Sequence, residues 1–276
     1  MSTSWKRVIG LTGALVCFAL MAMPQALADN LYGLHYNSRN LYSVSETDAS
    51  VSLIGNTGVA LGGMDMSSDG FLYGITTGSS ASLYRIDPST ADTTMIGPLG
   101  LGFVFEGALV ISPEGVLYGT NGDAASSPQL FTIDINTGTA TVVGIITGGN
   151  HDVNGLAWRS DGMLVGMDGN QNVLLKINPA TAVSSVITLF TPNIGLAGGM
   201  AVYDGTGYFA TGGSVVGGTN ELYRFDLFTG AHTLIAGFPA DEITGLGFSA
   251  LAAVPEPTSV VLLALGGLAA LNRRRR

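Results

Sequence analysis

Seven polar residues carry the chemistry that the middle of this chain offers: Glu106, His151, Asp152, Asn154, Asp168, Glu242 and Thr244. Carboxylates and amide oxygens are the ligands Ca2+ takes. Two carboxyl groups facing one another across a sugar cleave a glycosidic bond, and Glu106 with Asp152 or Asp168 would be the pair. The same residues have a plainer account, because Asn, Asp and Gly are turn formers and loops outside a sheet are polar. No spaced liganding loop of the EF-hand kind occurs, so Ca2+ has no motif behind it and no cofactor is expected. No Gly-x-Ser-x-Gly elbow occurs either. His35, His151 and His232 fall at different phases of the sequence pattern, and only His151 stands beside an acid. No residue is assigned a catalytic role.

Many short strands must position these residues. Residues 29–253 alternate short apolar runs with Gly, Asn, Asp, Ser and Pro clusters, and no long segment has helical periodicity. One motif recurs as Leu31-Tyr32-Gly33, Leu72-Tyr73-Gly74, Leu117-Tyr118-Gly119, Leu164-Val165-Gly166 and Phe209-Ala210-Thr211, at intervals of 41, 45, 47 and 45 residues. Each is followed by a second apolar run such as Leu130-Phe131-Thr132-Ile133, a turn such as Asn136-Thr137-Gly138, and a third apolar run. A Gly-apolar run such as Gly155-Leu156-Ala157-Trp158 closes the unit. Four strands in about 45 residues is the pattern of a β-propeller blade, and five units predict five blades. An open β-array and a six-bladed ring with one degenerate blade are the alternatives. Asp69-Gly70, Glu114-Gly115 and Asp161-Gly162 predict two-residue hairpin turns.

The register predicts how the ring closes. The body starts on a Leu-Tyr-Gly strand and ends on Gly245-Leu246-Gly247-Phe248, so the last strand should complete the first blade and leave no long open edge. Hairpin connectivity then gathers one set of loops around the mouth of the central channel. All seven candidates map there, with His35, Asn37, Arg39, Asn121, Asp123, Asn170 and Asp241. The position before each inner-strand glycine is Gly62, Glu106, Asn154, Gly198 and Thr244 in turn, and it should face the channel. The repeated tyrosines are expected to pack between blades, with their hydroxyls at the rim.

Both ends read as addresses. Lys6 and Arg7 precede an apolar stretch at residues 8–23, and Ala26 and Ala28 are the small residues a signal peptidase reads. Residues 1–28 are expected to be a signal peptide cut before Asp29. Cys17 lies in that stretch, so the body has no cysteine for a disulfide or a thiolate metal site. Residues 254–276 hold Val254, Pro255, Glu256 and Pro257, then fourteen apolar residues at 258–271, then Asn272 and Arg273, Arg274, Arg275 and Arg276. A stable spanning helix needs about 20 residues, so this short membrane helix suits transient residence. Its arginines would stay on the cytoplasmic side. Without the two ends, nineteen acids face five bases, a charge near −14 where the whole chain has −9. That balance argues against nucleic acid and suits solubility outside the cell.

The tail resembles the PEP-CTERM sorting signal of exopolysaccharide-producing Gram-negative bacteria, with its Pro-Glu-Pro motif, apolar segment and basic end in order. The resemblance implies an exosortase as partner and a cut near Pro255-Glu256-Pro257 after export. It also implies release to the outside or retention on the envelope, in an exopolysaccharide or biofilm setting. The repeats loosely resemble the Leu-Tyr-Gly propeller repeats of secreted bacterial proteins. The resulting expectation is an exported, noncatalytic propeller serving binding or structure, with polysaccharide as a partner. The other reading is a secreted glycan hydrolase or lyase that uses acids at the channel mouth.

Overall fold

The computed structural model describes residues 31–122, 128–148, 151–190, 198–211, 220–239 and 248–250. The signal peptide and the sorting segment expected from sequence lie outside these residues. Among the described residues the regular structure is β-strand, and no helix is long and apolar enough to cross a membrane. The first blade holds β1 (Leu31–His35), β2 (Asn40–Val44) and β3 (Val51–Asn56). The second runs through β4 (Leu61–Met66), β5 (Leu72–Thr76), β6 (Ser82–Ile86) and β7 (Thr93–Pro98). The third has β8 (Leu109–Ile111), β9 (Leu117–Thr120), β10 (Gln129–Ile133) and β11 (Ala140–Ile145). The fourth has β12 (Val153–Trp158), β13 (Leu164–Asp168), β14 (Val173–Ile177) and β15 (Ser184–Leu189). The fifth has β16 (Met200–Tyr203), β17 (Thr206–Ala210), β18 (Glu221–Phe225) and β19 (His232–Gly237).

The remaining strand, β20 (Phe248–Ala250), does not join the fifth blade. It pairs antiparallel with β1 and makes the order β20-β1-β2-β3, as the repeat register predicts. Innermost strands β4, β8, β12, β16 and β20 neighbour one another around a closed ring. Leu31 and Ala250 stand opposite each other, so the chain enters and leaves the ring side by side. Val44 also pairs with Leu31, which puts both ends on the face of the turns that follow each second strand.

The core lies between blades rather than within one. Tyr32, Leu34 and Leu41 of the first blade pack with Leu61, Met64, Leu72 and Ile86 of the second. Ala157, Val165 and Leu174 of the fourth pack with Met200, Phe209 and Tyr223 of the fifth. Tyr32, Tyr42, Tyr73 and Tyr223 are buried in these layers. Tyr73 donates to Asp69 and Tyr223 to Glu221, each at 2.8 Å. Burial first, then the carboxylate neighbour, pushes both phenols up to about 12.

Close approach explains the recurrent glycines. A Cβ on Gly62 would lie 1.9 Å from the carbonyl oxygen of Glu106, and one on Gly97 would lie 2.1 Å from that of Thr137. In the outer joint, a strand position of one blade meets the tight turn of the next. Gly55 faces Ala91 and Gly144 faces Ala182. Where the strand carries Thr188 instead, the turn carries Gly230. A small residue on one side of the joint is matched to the residue on the other.

Turn chemistry supports one part of the sequence reading and corrects another. Asp87, Asp134 and Asp226 each accept a hydrogen bond from the backbone N–H two residues on, at 2.8–2.9 Å. Asn178 does the same with an amide oxygen. The Asp-Gly and Glu-Gly turns are not two-residue loops. Gly70, Gly115 and Gly162 close three-residue loops, in which the outer pair, for example Ser67 and Phe71, is still hydrogen-bonded. The two-residue form occurs at Asp204-Gly205, where both residues have positive φ. Three residues suffice with one left-handed glycine, whereas a two-residue type I′ turn, as at Asp204-Gly205, needs two left-handed positions.

The turn aspartates predict acid sensitivity. Their hydrogen bonds hold Asp87, Asp134 and Asp226 below the usual carboxylate range, from Ser89, Asn136 and Thr229 respectively. A carboxyl lowered in the folded state contributes stability above its unfolded value of about 3.9 and loses it as pH falls through the folded value. The urea midpoint should be level above about pH 5 and fall below about pH 4, less steeply in Asp134→Asn. A midpoint that stays constant down to about pH 3 would contradict this account.

Candidate functional site at the channel mouth

Glu106 reaches the mouth through the loop between β7 and β8, which two contacts hold down. Val104 is fully buried and exchanges backbone hydrogen bonds with Gly78 at 2.7 and 3.1 Å. The Phe105 N–H donates to the Asn121 carbonyl at 2.8 Å. With Val104 turned in, its neighbours turn out. Phe103 is 48 % exposed and Phe105 59 %, with ring centroids 5.4 Å apart. Two large exposed aromatics in contact form a small apolar shelf. Sequence reading missed them. The available signal was Phe103-Val104-Phe105, an alternating apolar triplet in a Gly-rich loop rather than in a repeat strand.

Beside this shelf lies a polar pair. Asn154 is 3 % exposed, and its Nδ2 donates to Glu106 Oε2 at 2.7 Å across the joint between the third and fourth blades. Burial pushes the half-buried Glu106 carboxyl up. Asn154 also lines a narrow cavity on the channel axis, with Gly63, Met64, Ala108, Leu109 and Met200 among its walls. The cavity offers about 10 Å³ to the centres of water molecules, room for one water-sized group. Thr120 knits the same joint by donating to Val153 O at 2.7 Å and accepting from the Ala108 N–H.

Other candidates are spent on scaffolding. Asp168 is 0 % exposed. Its Oδ1 accepts backbone N–H groups from Asp152, Asn170 and Gln171, and its Oδ2 meets His151 Nδ1 at 2.5 Å. His151 is 1 % exposed, with Nε2 3.1 Å from the Thr147 carbonyl. Both ring nitrogens therefore face oxygen atoms. This latch ties the loop before β12 to the loop after β13. It removes Asp168 and His151 from the groups that face a ligand, and it removes Asp168 as a second carboxyl for glycoside cleavage with Glu106. Asp152 is half-buried beside the latch, and Asn121 accepts from the Gln129 N–H to close its own loop. His35 and Arg39 shape the first mouth loop, through Ser38 and Gly58. Asp123, Asp241, Glu242 and Thr244 lie outside the described residues. Among those described, no cluster of three or more His, Cys, Asp or Glu is placed to hold a metal.

Residues 253–276 match the family model described as the PEP-CTERM protein-sorting motif. The C-terminal segment is a PEP-CTERM sorting signal. It makes the chain an exported substrate of an exosortase, anchored transiently in the membrane by that segment. No curated protein matches the chain. Among solved structures, a chain in the crystal structure of a nidogen/laminin complex is similar at 14 % identity and a TM-score of 0.53, over 80 % of this chain and 97 % of that one. A protein of unknown function from Bacteroides thetaiotaomicron VPI-5482 is similar at 18 % identity and a TM-score of 0.54. That match covers 79 % of this chain, which spans only 60 % of the other's length. At such identities the likeness shows the fold alone.

Proposed function

We propose that the PEP-CTERM chain delivers a noncatalytic glycan-binding propeller to the cell envelope or beyond, with its ligand held over the channel mouth. In this reading residues 1–28 are removed by signal peptidase and residues 29–253 are the working body. Its setting is an extracellular polysaccharide or biofilm matrix. The observation that carries the reading is the exposed Phe103–Phe105 shelf beside half-buried Glu106. Aromatic faces stack on the apolar faces of sugar rings, and a carboxylate accepts hydrogen bonds from hydroxyls. For the hydrolase reading, Asp168 is sealed in the latch and half-buried Asp152 is left as the acid to pair with Glu106.

The test is a glycan array probed with the whole chain in mild detergent, with and without Ca2+. Phe103→Ala with Phe105→Ala is expected to weaken binding roughly tenfold. Both side chains are exposed, so the melting temperature should barely move. Undiminished binding in the double variant would remove the shelf from the site. Turnover of a bound glycan that is lost in Glu106→Gln would favour the hydrolase instead.

A further inference from the structure

The Asn154–Glu106 pair specifies more than a sugar. An ionised carboxylate only accepts hydrogen bonds, so Glu106 fixes the Asn154 amide with its NH2 toward the carboxylate. That leaves Asn154 Oδ1 buried with no hydrogen-bond partner, on a residue that lines the water-sized cavity. Buried polar atoms without partners are rare in folded proteins and call for an occupant. Asn154 Oδ1 and the Glu106 carboxylate are acceptors, so the occupant is a water, an ammonium group or a metal cation. A divalent cation such as Ca2+ takes six to eight oxygens, and this pair supplies an amide oxygen and one carboxylate. A primary ammonium is water-sized, brings three donors and carries the charge that a half-buried carboxylate lacks. The surrounding body, with nineteen acids against five bases, attracts cations. Phe103 and Phe105 add aromatic faces, which attract ammonium groups as well as sugar rings.

We infer that the ligand is a polysaccharide bearing free primary amines, with one ammonium group seated between Asn154 Oδ1 and the Glu106 carboxylate. This deepens the glycan-binding reading and rests on it. The amine supplies selectivity and the shelf supplies area.

The experiment is calorimetric titration of the whole chain at about pH 6, where amines are cationic. The probes are a β-1,4-linked glucosamine hexamer and its fully N-acetylated counterpart. The amine hexamer is expected to bind at least about tenfold more tightly. Glu106→Gln, which keeps the shape and removes the charge, should erase that preference, weakening the amine hexamer at least about tenfold more than the acetylated one. Asn154→Ala should act in the same direction, with the melting temperature of each variant as the control for folding. Equal affinity for the two hexamers overturns the amine inference while leaving glycan binding intact, and no binding of either overturns both. A preference that survives Glu106→Gln belongs to the acidic surface and also overturns it. Equal, Glu106-dependent binding of polylysine removes the sugar ring from the requirement and overturns the ligand class. A melting-temperature rise with Ca2+ that Glu106→Gln abolishes assigns the seat to a metal instead.

Discussion

Asp168→Ala should destabilise the protein by about 3–5 kcal/mol, because each buried donor left without an acceptor costs about 1–3 kcal/mol and several lose theirs at once. Three backbone N–H groups and the His151 ring lose their acceptor together. At 2–4 °C per kcal/mol for a body of this size, the melting temperature should drop by roughly 6–20 °C. Asp168→Asn retains an amide oxygen for the backbone donors and should lose less. A drop within about 2 °C for the alanine variant would show that the latch is not buried as described. Glycan binding by the surviving folded fraction separates scaffold from site. A scaffold residue reduces the amount of folded protein, whereas a ligand-facing residue reduces affinity at constant folded amount.

Removing residues 248–250 should be comparably damaging. Without β20 the first blade loses its innermost strand, and β1 presents an open edge to solvent. Leu31 and Tyr32 on β1 are almost wholly buried. Burying a large apolar side chain is worth about 1.5–3 kcal/mol, so exposing about half of two of them costs roughly 1.5–3 kcal/mol, to which the loss of strand pairing adds. The truncated protein should melt lower and associate with itself, because an unpaired edge accepts another strand. A synthetic peptide spanning residues 245–253 should restore the melting temperature by adding back the missing strand. An unchanged melting temperature in the truncated protein would refute closure by this strand.

The ring was legible in the sequence because it is written five times. Leu-Tyr-Gly and Gly-apolar runs recur at blade spacing, so an error in one unit is corrected by the other four. The starting register then placed the closing strand. Features that occur once were harder to read. Asp69-Gly70 fits both two- and three-residue hairpins, and only the pairing of Ser67 with Phe71 decides. His151 and Asp168 are seventeen residues apart, and they meet because β12 and β13 pair with an irregularity between Val153 and Gly155. No local pattern announces that register. The channel-facing reading of Glu106 and Asn154 came from phase within the repeat, and their mutual hydrogen bond is a product of neighbouring blades meeting at the axis. Phe103 and Phe105 escaped notice because they lie between repeat motifs, where periodicity has nothing to say.

The pairing of Leu31 with Ala250 has a consequence for the membrane-anchored form of the chain. The leash toward the membrane begins on the face opposite the mouth, and the five residues from Ala250 to Pro255 reach at most about 18 Å. A connection of that length would keep the anchored ring close to the membrane, with the mouth on its far side. Neighbouring copies in one membrane then share an orientation, and under the glycan binding proposed above a long polymer would engage many of them at once, gaining avidity that no single mouth supplies. A cut that releases the body would turn such an array into monovalent particles, so under the same proposal processing would decide between multivalent and single-site binding.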